Sequence, residues 1–329
     1  MFSSEYPSRQ PIRAPWTRER LIHERAIALG SSIDISTRQA YSSHLQSYLT
    51  FCKNHNFPVD PTPDTLSFFT VYMCHHIKPS SVDAYLSGIC NQLEPFFPHV
   101  RASRKSPLVA RTLAGCKRNL GTATVRKRPL GREDLLECLH NFLPTSYDNL
   151  LFRALLLAGF LGLHRLGELV RPSKGNIWRK TIPRTSAMLD PVHRRFQYRL
   201  PTSKTDHIFE GSTILLDEAI DDIPSFDIFA EYLTARDDLF PLSPPLWIAS
   251  TGEIPTREWF LTRLDSAVND PTVGGHSLRA GGATFFASLG WPDDRIQMLG
   301  RWKSDAFKIY IRKNPILLNA LMLGRAVRS

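Results

Sequence analysis

Gly275-His276-Ser277-Leu278-Arg279-Ala280-Gly281-Gly282, followed by Gly300-Arg301-Trp302-Lys303-Ser304-Asp305-Ala306-Phe307-Lys308-Ile309-Tyr310, is the stretch around which the chain is organised. His276 and Arg279 stand at i and i+3, so on a helix they share a face, and Leu278, Phe285 and Leu289 supply the buried side of that helix. A guanidinium offers forked donors that match phosphate oxygens, and an imidazole adds another donor. An H-x-x-R pair alone is unspecific. Gly281-Gly282 suits either tight helix packing or the close approach of a backbone. Further on, Ser304 suits a helix N-cap, Asp305 its first turn and Pro315 its end. On that helix Phe307, Tyr310 and Ile311 lie together, which reads either as an apolar stripe or as the setting of a nucleophile. A phenol is weak at neutral pH and needs cations to stabilise its phenolate and the charge building on a phosphate. His276, Arg279 and Arg165 are the candidates.

Working outward, Arg165 and Glu168 form a second i,i+3 pair directly after the apolar run Asn149–Leu163. It reads as a structural salt bridge or as part of a site. Lys204 lies in the polar connection Pro201–Asp206, between the alternating segments Phe196–Leu200 and Ser212–Leu216. That pattern predicts a hairpin, with Lys204 either a solvated loop lysine or a movable general acid.

The 329 residues suffice for two domains. Forty-one Lys and Arg against 31 Asp and Glu leave a net charge of +10, and a globular chain so basic most often faces a polyanion. All five cysteines lie in the first half, an odd number without CxxC spacing, as expected of reduced thiols. Neither Cys52/His55 nor Cys74/His75/His76 has zinc-finger spacing, so no metal is expected. No P-loop or carboxylate cluster points to a cofactor. Met1–Pro15 is polar, unlike a signal peptide, and Leu150–Leu163 is interrupted by Arg153 and too short to span a bilayer. The expectation is a protein that is neither secreted nor membrane-bound.

Residues 1–34 read as a flexible basic arm that allows a short helix near Arg18–Leu29. From 35 to 121 the periodicity predicts four helices: one capped by Ser36 or Thr37, one over Asp64–His76, one opened by Pro79-Ser80-Ser81 and one opened by Ser106-Pro107. No acidic residue occurs between Arg101 and Arg132. Within that span Arg104, Lys105, Arg111, Lys117, Arg118, Arg126, Lys127 and Arg128 are candidate DNA-backbone contacts, the competing reading being a solvated face. Residues 122–129 read as a basic linker, and 130–329 as a second domain. That domain opens with helices over Arg132–Phe142 and Asn149–Leu163, has a turn into a strand at Ser173–Trp178 and an extended piece at Leu246–Ala249, and ends in an apolar helix, Ile316–Ala326. The fold class expected is mainly α with a small β-sheet.

Arg165-x-x-Glu168, Lys204 between two strands, His276-x-x-Arg279, Trp302 and Tyr310, in that order, resemble the active-site series of the tyrosine recombinases, phage-integrase-like enzymes that break and rejoin DNA. Gly-Leu-x-Arg-x-x-Glu-Leu, His-Ser-Leu-Arg-Ala-Gly and Gly-Arg-Trp followed by Tyr-Ile-Arg are similar to the family's local strings. Ser203–Asp206 and Arg301–Pro315 look most like integrases of fungal Crypton and DIRS elements. The resemblance implies a helical core-binding domain before a mixed α/β catalytic domain. It also implies that Arg165 and Arg279 grip the scissile phosphate and that His276 assists and takes the proton of Tyr310. Lys204 would protonate the departing 5′ oxygen, Trp302 would stand where many members have a second His, and Glu168 would hold the site together. Tyr310 would attack to leave a 3′-phosphotyrosine, without ATP, metal or other cofactor. Double-stranded DNA, a homo-multimer of four protomers on paired sites and a nuclear location (cytoplasmic outside eukaryotes) follow as expectations. A catalytically silent DNA-binding descendant and a type IB topoisomerase-like enzyme are the alternatives.

Overall fold

Thr17, Asp34, Thr62 and Ser106 each place a side-chain oxygen on a backbone N–H left free at a helix start. The helices they open are α1 (Arg18–Gly30), α2 (Ile35–Asn54), α3 (Pro63–His76) and, further on, α6 (Pro107–Leu120). Between α3 and α6 come α4 (Pro79–Leu93) and α5 (Val100–Lys105). Pro63, Pro79 and Pro107 open their helices, where a missing N–H costs nothing. The computed structural model describes residues 13–123, 127–172, 177–202, 210–218 and 223–308. In it the chain divides into two compact units, Met1–Ala123 and Thr124–Ser329.

In the first unit, Tyr48, Phe51, Leu66, Phe69, Val82, Leu86, Ile89, Val109 and Leu113 from α2, α3, α4 and α6 form one core. Phe69 meets Tyr48 and Phe51 edge-on, at 5.4 and 5.5 Å between ring centres. Burying each such ring stabilises the unit by roughly 1.5–3 kcal/mol. Helix α1, within the arm, buries none of its residues. The first cap of the core is Asp34, ahead of the Ser36 or Thr37 expected.

From Lys127 on, the chain is already bonded into the second unit. Arg128 N–H donates to the Thr272 carbonyl at 2.8 Å and Leu130 N–H to that of Ser277 at 3.0 Å, so part of the expected linker belongs to the fold. Its helices α7 (Arg132–Asn141) and α8 (Tyr147–Leu161) lead to the short α9 (Leu166–Leu169) and α10 (Ile177–Lys180). Trp178 therefore lies on a helical turn, not at the start of a strand. The sheet has three antiparallel strands in sequential order, β1 (Met188–Asp190), β2 (Arg195–Leu200) and β3 (Ser212–Asp217). Tyr198 pairs with Ile214 and Phe196 with Leu216, and all four are buried.

Helices α11 (Ser225–Leu239), α12 (Arg257–Val268), α13 (Ser277–Ser288) and α14 (Asp293–Leu299) follow. A short 3-10 turn closes the described chain at Asp305–Phe307. Leu246–Ala249, expected as an extended piece, is buried but joins no strand. Its carbonyls are met instead by Tyr232 at Leu246 and Tyr147 at Ile248, at 2.8 and 2.9 Å. The architecture is mainly α with one small antiparallel sheet. Helix α8 is buried almost throughout. A Cβ on Gly282 of α13 would collide with the Phe160 carbonyl of α8, and one on Gly281 with that of Leu130. Tight packing therefore accounts for both glycines. Among the described residues, no helix is long and apolar enough to cross a membrane.

Candidate active site

The site grows from the corner after α8. Gly162 ends that helix and Leu163 turns the chain through the left-handed region, at φ 48°. Two arginines from distant sequence meet the carbonyl this turn presents: Arg279 of α13 at 2.6 Å and Arg301 at 3.2 Å. Arg301 also donates to the Gly162 carbonyl at 3.1 Å and is itself left-handed, at φ 56°. The corner holding Arg165 and the helix holding Arg279 are thus pinned to each other.

Arg165 precedes α9, and Glu168 reaches back to it. The carboxylate accepts from the Arg165 backbone N–H at 3.1 Å and from its guanidinium at 2.8 Å. It also accepts from His164 Nδ1 at 3.1 Å and from Arg301 at 3.2 Å. Burial alone would raise the Glu168 carboxyl, but the bonds and charges of His164, Arg301 and Arg165 outweigh it and hold the group ionised, well below the usual range. Behind it, His164 is fully buried and its Nε2 lies 2.7 Å from the Tyr198 hydroxyl. Burial pushes this imidazole down to about 4, against the pull of Glu168. Neutral His164 then donates from Nδ1 to the carboxylate and accepts from Tyr198 at Nε2.

Arg165 keeps 26% of its side chain exposed while Glu168 fixes its other side. Arg279 is buried; besides Leu163 it donates to the Gly300 carbonyl, and its guanidinium lies 4.2 Å from the centre of the Trp302 ring. Trp302 crosses over Gly300, where any Cβ would strike the indole, and packs on the fully buried Phe307 at 5.4 Å. His276 is the N-cap residue of α13, exposed and three positions before Arg279. Lys204, Tyr310, Arg126 and the apolar segment 316–326 lie outside the described residues.

No protein-family model matches the chain, and no curated protein matches its sequence. Solved structures do. A λ integrase tetramer bound to a Holliday junction aligns with a TM-score of 0.52 at 16% identity, over 89% of this chain and 76% of that one. XerH site-specific recombinase in a post-cleavage complex with its difH substrate aligns at 0.53 and 13% identity, over 79% and 71%. The Tn1549 transposon integrase in complex with transposon right-end DNA aligns at 0.51 and 11% identity, over 80% and 84%. The fold is that of the tyrosine recombinases.

Within this recombinase fold the described residues bring Arg165, Glu168, Arg279 and Trp302 into one linked cluster. Three further members have no role in the reading of the sequence. Arg301 stands in the Gly-Arg-Trp string, His164 is visible beside Arg165, and Tyr198 is placed inward by strand alternation. Nothing in their spacing marks the bonds between them.

The basic span carries Lys105, Arg111, Lys117 and Arg118 on the surface. Asp83 and Glu94, which precede the acid-free span, compensate part of it. Asp83 accepts from Arg104 at 2.9 Å and lies 3.8 Å from Lys117, while Glu94 pairs with Arg101 at 2.7 Å. Arg128 is held by Asp134 and Asp270, and Lys127 donates to the Pro271 carbonyl. These two cations hold residues 127–130 on the second unit.

Proposed function

We propose that the chain is a site-specific DNA recombinase or integrase that breaks and rejoins duplex DNA through a covalent 3′-phosphotyrosine. The observation that carries this reading is the pinned corner: Arg165, fixed on one side by Glu168 and open on the other, joined through the Leu163 carbonyl to Arg279. Two guanidiniums held in a low-dielectric setting suit the non-bridging oxygens of a phosphodiester, where they stabilise charge that builds in the transition state. The recombinase fold supports the same chemistry.

In this proposal the Tyr310 oxygen attacks phosphorus, forming a P–O bond as the P–O5′ bond breaks. His276 takes the phenolic proton and Lys204 supplies one to the departing 5′ oxygen. Rejoining runs the steps in reverse, so no external energy source or cofactor is required. Trp302 backs Arg279. Residues 35–121 serve as a core-binding domain whose surface cations meet the phosphate backbone, and 130–329 as the catalytic domain. A multimer on paired sites, origin in a Crypton- or DIRS-like mobile element and a nuclear location extend the proposal. The DNA-bound tetramer among the neighbours supports the first, and the transposon integrase supports a mobile-element origin without pointing to its type.

The test is covalent capture. Native protein and Tyr310→Phe are incubated with a duplex library nicked so that cleavage cannot be reversed, and DNA that stays attached under denaturing conditions is sequenced. Attachment by the native protein alone is expected, at a recurrent site. Equal outcomes for the two proteins would favour a silent DNA-binding descendant, and capture without sequence preference a topoisomerase-like enzyme.

A further inference from the structure

His164 and Tyr198 are buried and Arg301 nearly so behind Arg165, and the proposed chemistry uses none of them. Yet they set the orientation of Glu168, the one carboxylate among the described residues that touches Arg165. Glu168 gives Oε1 to the Arg165 guanidinium and Oε2 to three donors: His164 Nδ1, the Arg165 backbone N–H and Arg301. His164 is aimed in turn from its other nitrogen by Tyr198 at 2.7 Å, their rings nearly parallel at 18°. Tyr198 is itself buried, paired with Ile214 in the sheet and packed edge-on against Trp247 at 6.0 Å between ring centres. A chain of short contacts therefore runs from strand β2 to the partly exposed Arg165 guanidinium.

We propose that His164, bridged to Tyr198, is a positioning residue that fixes the Glu168 carboxylate and through it the Arg165 guanidinium. This rests on the phosphate-gripping role proposed for Arg165. A corner that needed only packing would be filled as well by an apolar side chain, since a buried polar group is costly unless both its ends are bonded. Here both ends are. Leu163 and Arg301, which flank the network, hold left-handed backbones that non-glycine residues rarely adopt, as expected where surrounding contacts over-determine a geometry.

Two readouts on the full chain test it. The first is 15N NMR of labelled histidine and arginine. It should show His164 as the Nδ1–H tautomer, with Arg165 guanidinium signals that sharpen into fast rotation in Tyr198→Phe and His164→Leu while the remaining amide signals keep their folded dispersion. Arg165 signals indifferent to both substitutions would overturn the proposal whether or not the protein cleaves DNA. The second is single-turnover cleavage of captured duplex. His164→Leu should slow it about tenfold or more with DNA affinity unchanged, while His164→Asn, whose amide nitrogen replaces Nδ1, should recover most of the rate. A methylphosphonate at the scissile position removes the charge Arg165 meets, so the His164→Leu defect should shrink there. Equal cleavage by His164→Leu and native protein would refute the proposal. Failure of the native protein to capture DNA would instead refute the recombinase reading, leaving the NMR result to decide this one.

Discussion

Arginine does different work in the two units. On α5 and α6 the cations sit at the surface, and those that are paired share a few partly exposed acids: Asp83 serves both Arg104 and Lys117. In the corner after α8 the cations are held inside the fold. One carboxylate holds the Arg165 guanidinium, and that carboxylate and a row of backbone carbonyls hold Arg279 and Arg301 through several bonds between them. Exposed cations attract a polyanion at long range and are screened by salt. Buried ones are oriented, and orientation is what a phosphate in a transition state requires. The two regions are suited to affinity and to geometry respectively, and each can be perturbed separately.

The largest effect is expected at Glu168. Glu168→Ala leaves the largely buried Arg301 beside a missing charge and His164 without an acceptor, so the second unit should lose about 3–5 kcal/mol of stability, measurable by urea denaturation. A loss under about 1 kcal/mol, the scale of a surface pair, would mean that the network is not the buried device described.

Acid should read the same corner with a smaller amplitude. His164 titrates at about 4 in the folded protein because burial opposes its charge, whereas an unfolded imidazole takes its proton near 6.5. Between those values the unfolded chain binds the extra proton, so stability falls as pH drops, by at most about 3 kcal/mol. The depressed Glu168 carboxyl adds a second loss below roughly pH 4.3, where the unfolded carboxylate protonates first. Stability curves of native protein and His164→Asn should therefore converge on acidification from pH 7 to 4.5. A constant gap between them would contradict a neutral buried His164.

These perturbations also mark how far the sequence is legible. The order of Arg165, Glu168, His276, Arg279 and Trp302 can be read because the proposed chemistry calls for those residue types, and helix starts can be read because prolines and short polar side chains stand at them. Helix α5 cannot: at six residues it is too short to show a period. The His164–Tyr198 bond joins residues 34 apart on different element types, and no local pattern encodes it. Arg301 reads as one more basic loop residue until the fold lays it on Glu168. The acid-free span looks uncompensated only because Asp83 and Glu94 precede it and return to it through the packing of α4 against α5 and α6.

That last point gives the smallest and sharpest test of the contrast between units. Asp83 is half exposed, so Asp83→Asn should change stability by less than about 1 kcal/mol. It should nevertheless release Arg104 and Lys117 and remove a negative charge from the basic surface. If that surface meets DNA, affinity should rise for all sequences alike, while replacing Arg104, Lys105, Lys117 and Arg118 should lower it and flatten the salt slope by ~0.9 for each phosphate no longer neutralised. Opposite signs from two nearly isostable changes can come only from a footprint on the phosphate backbone. If instead Asp83→Asn leaves both affinity and slope unchanged, the cations of α5 and α6 are a solvated face, and DNA contact must be sought elsewhere on the chain.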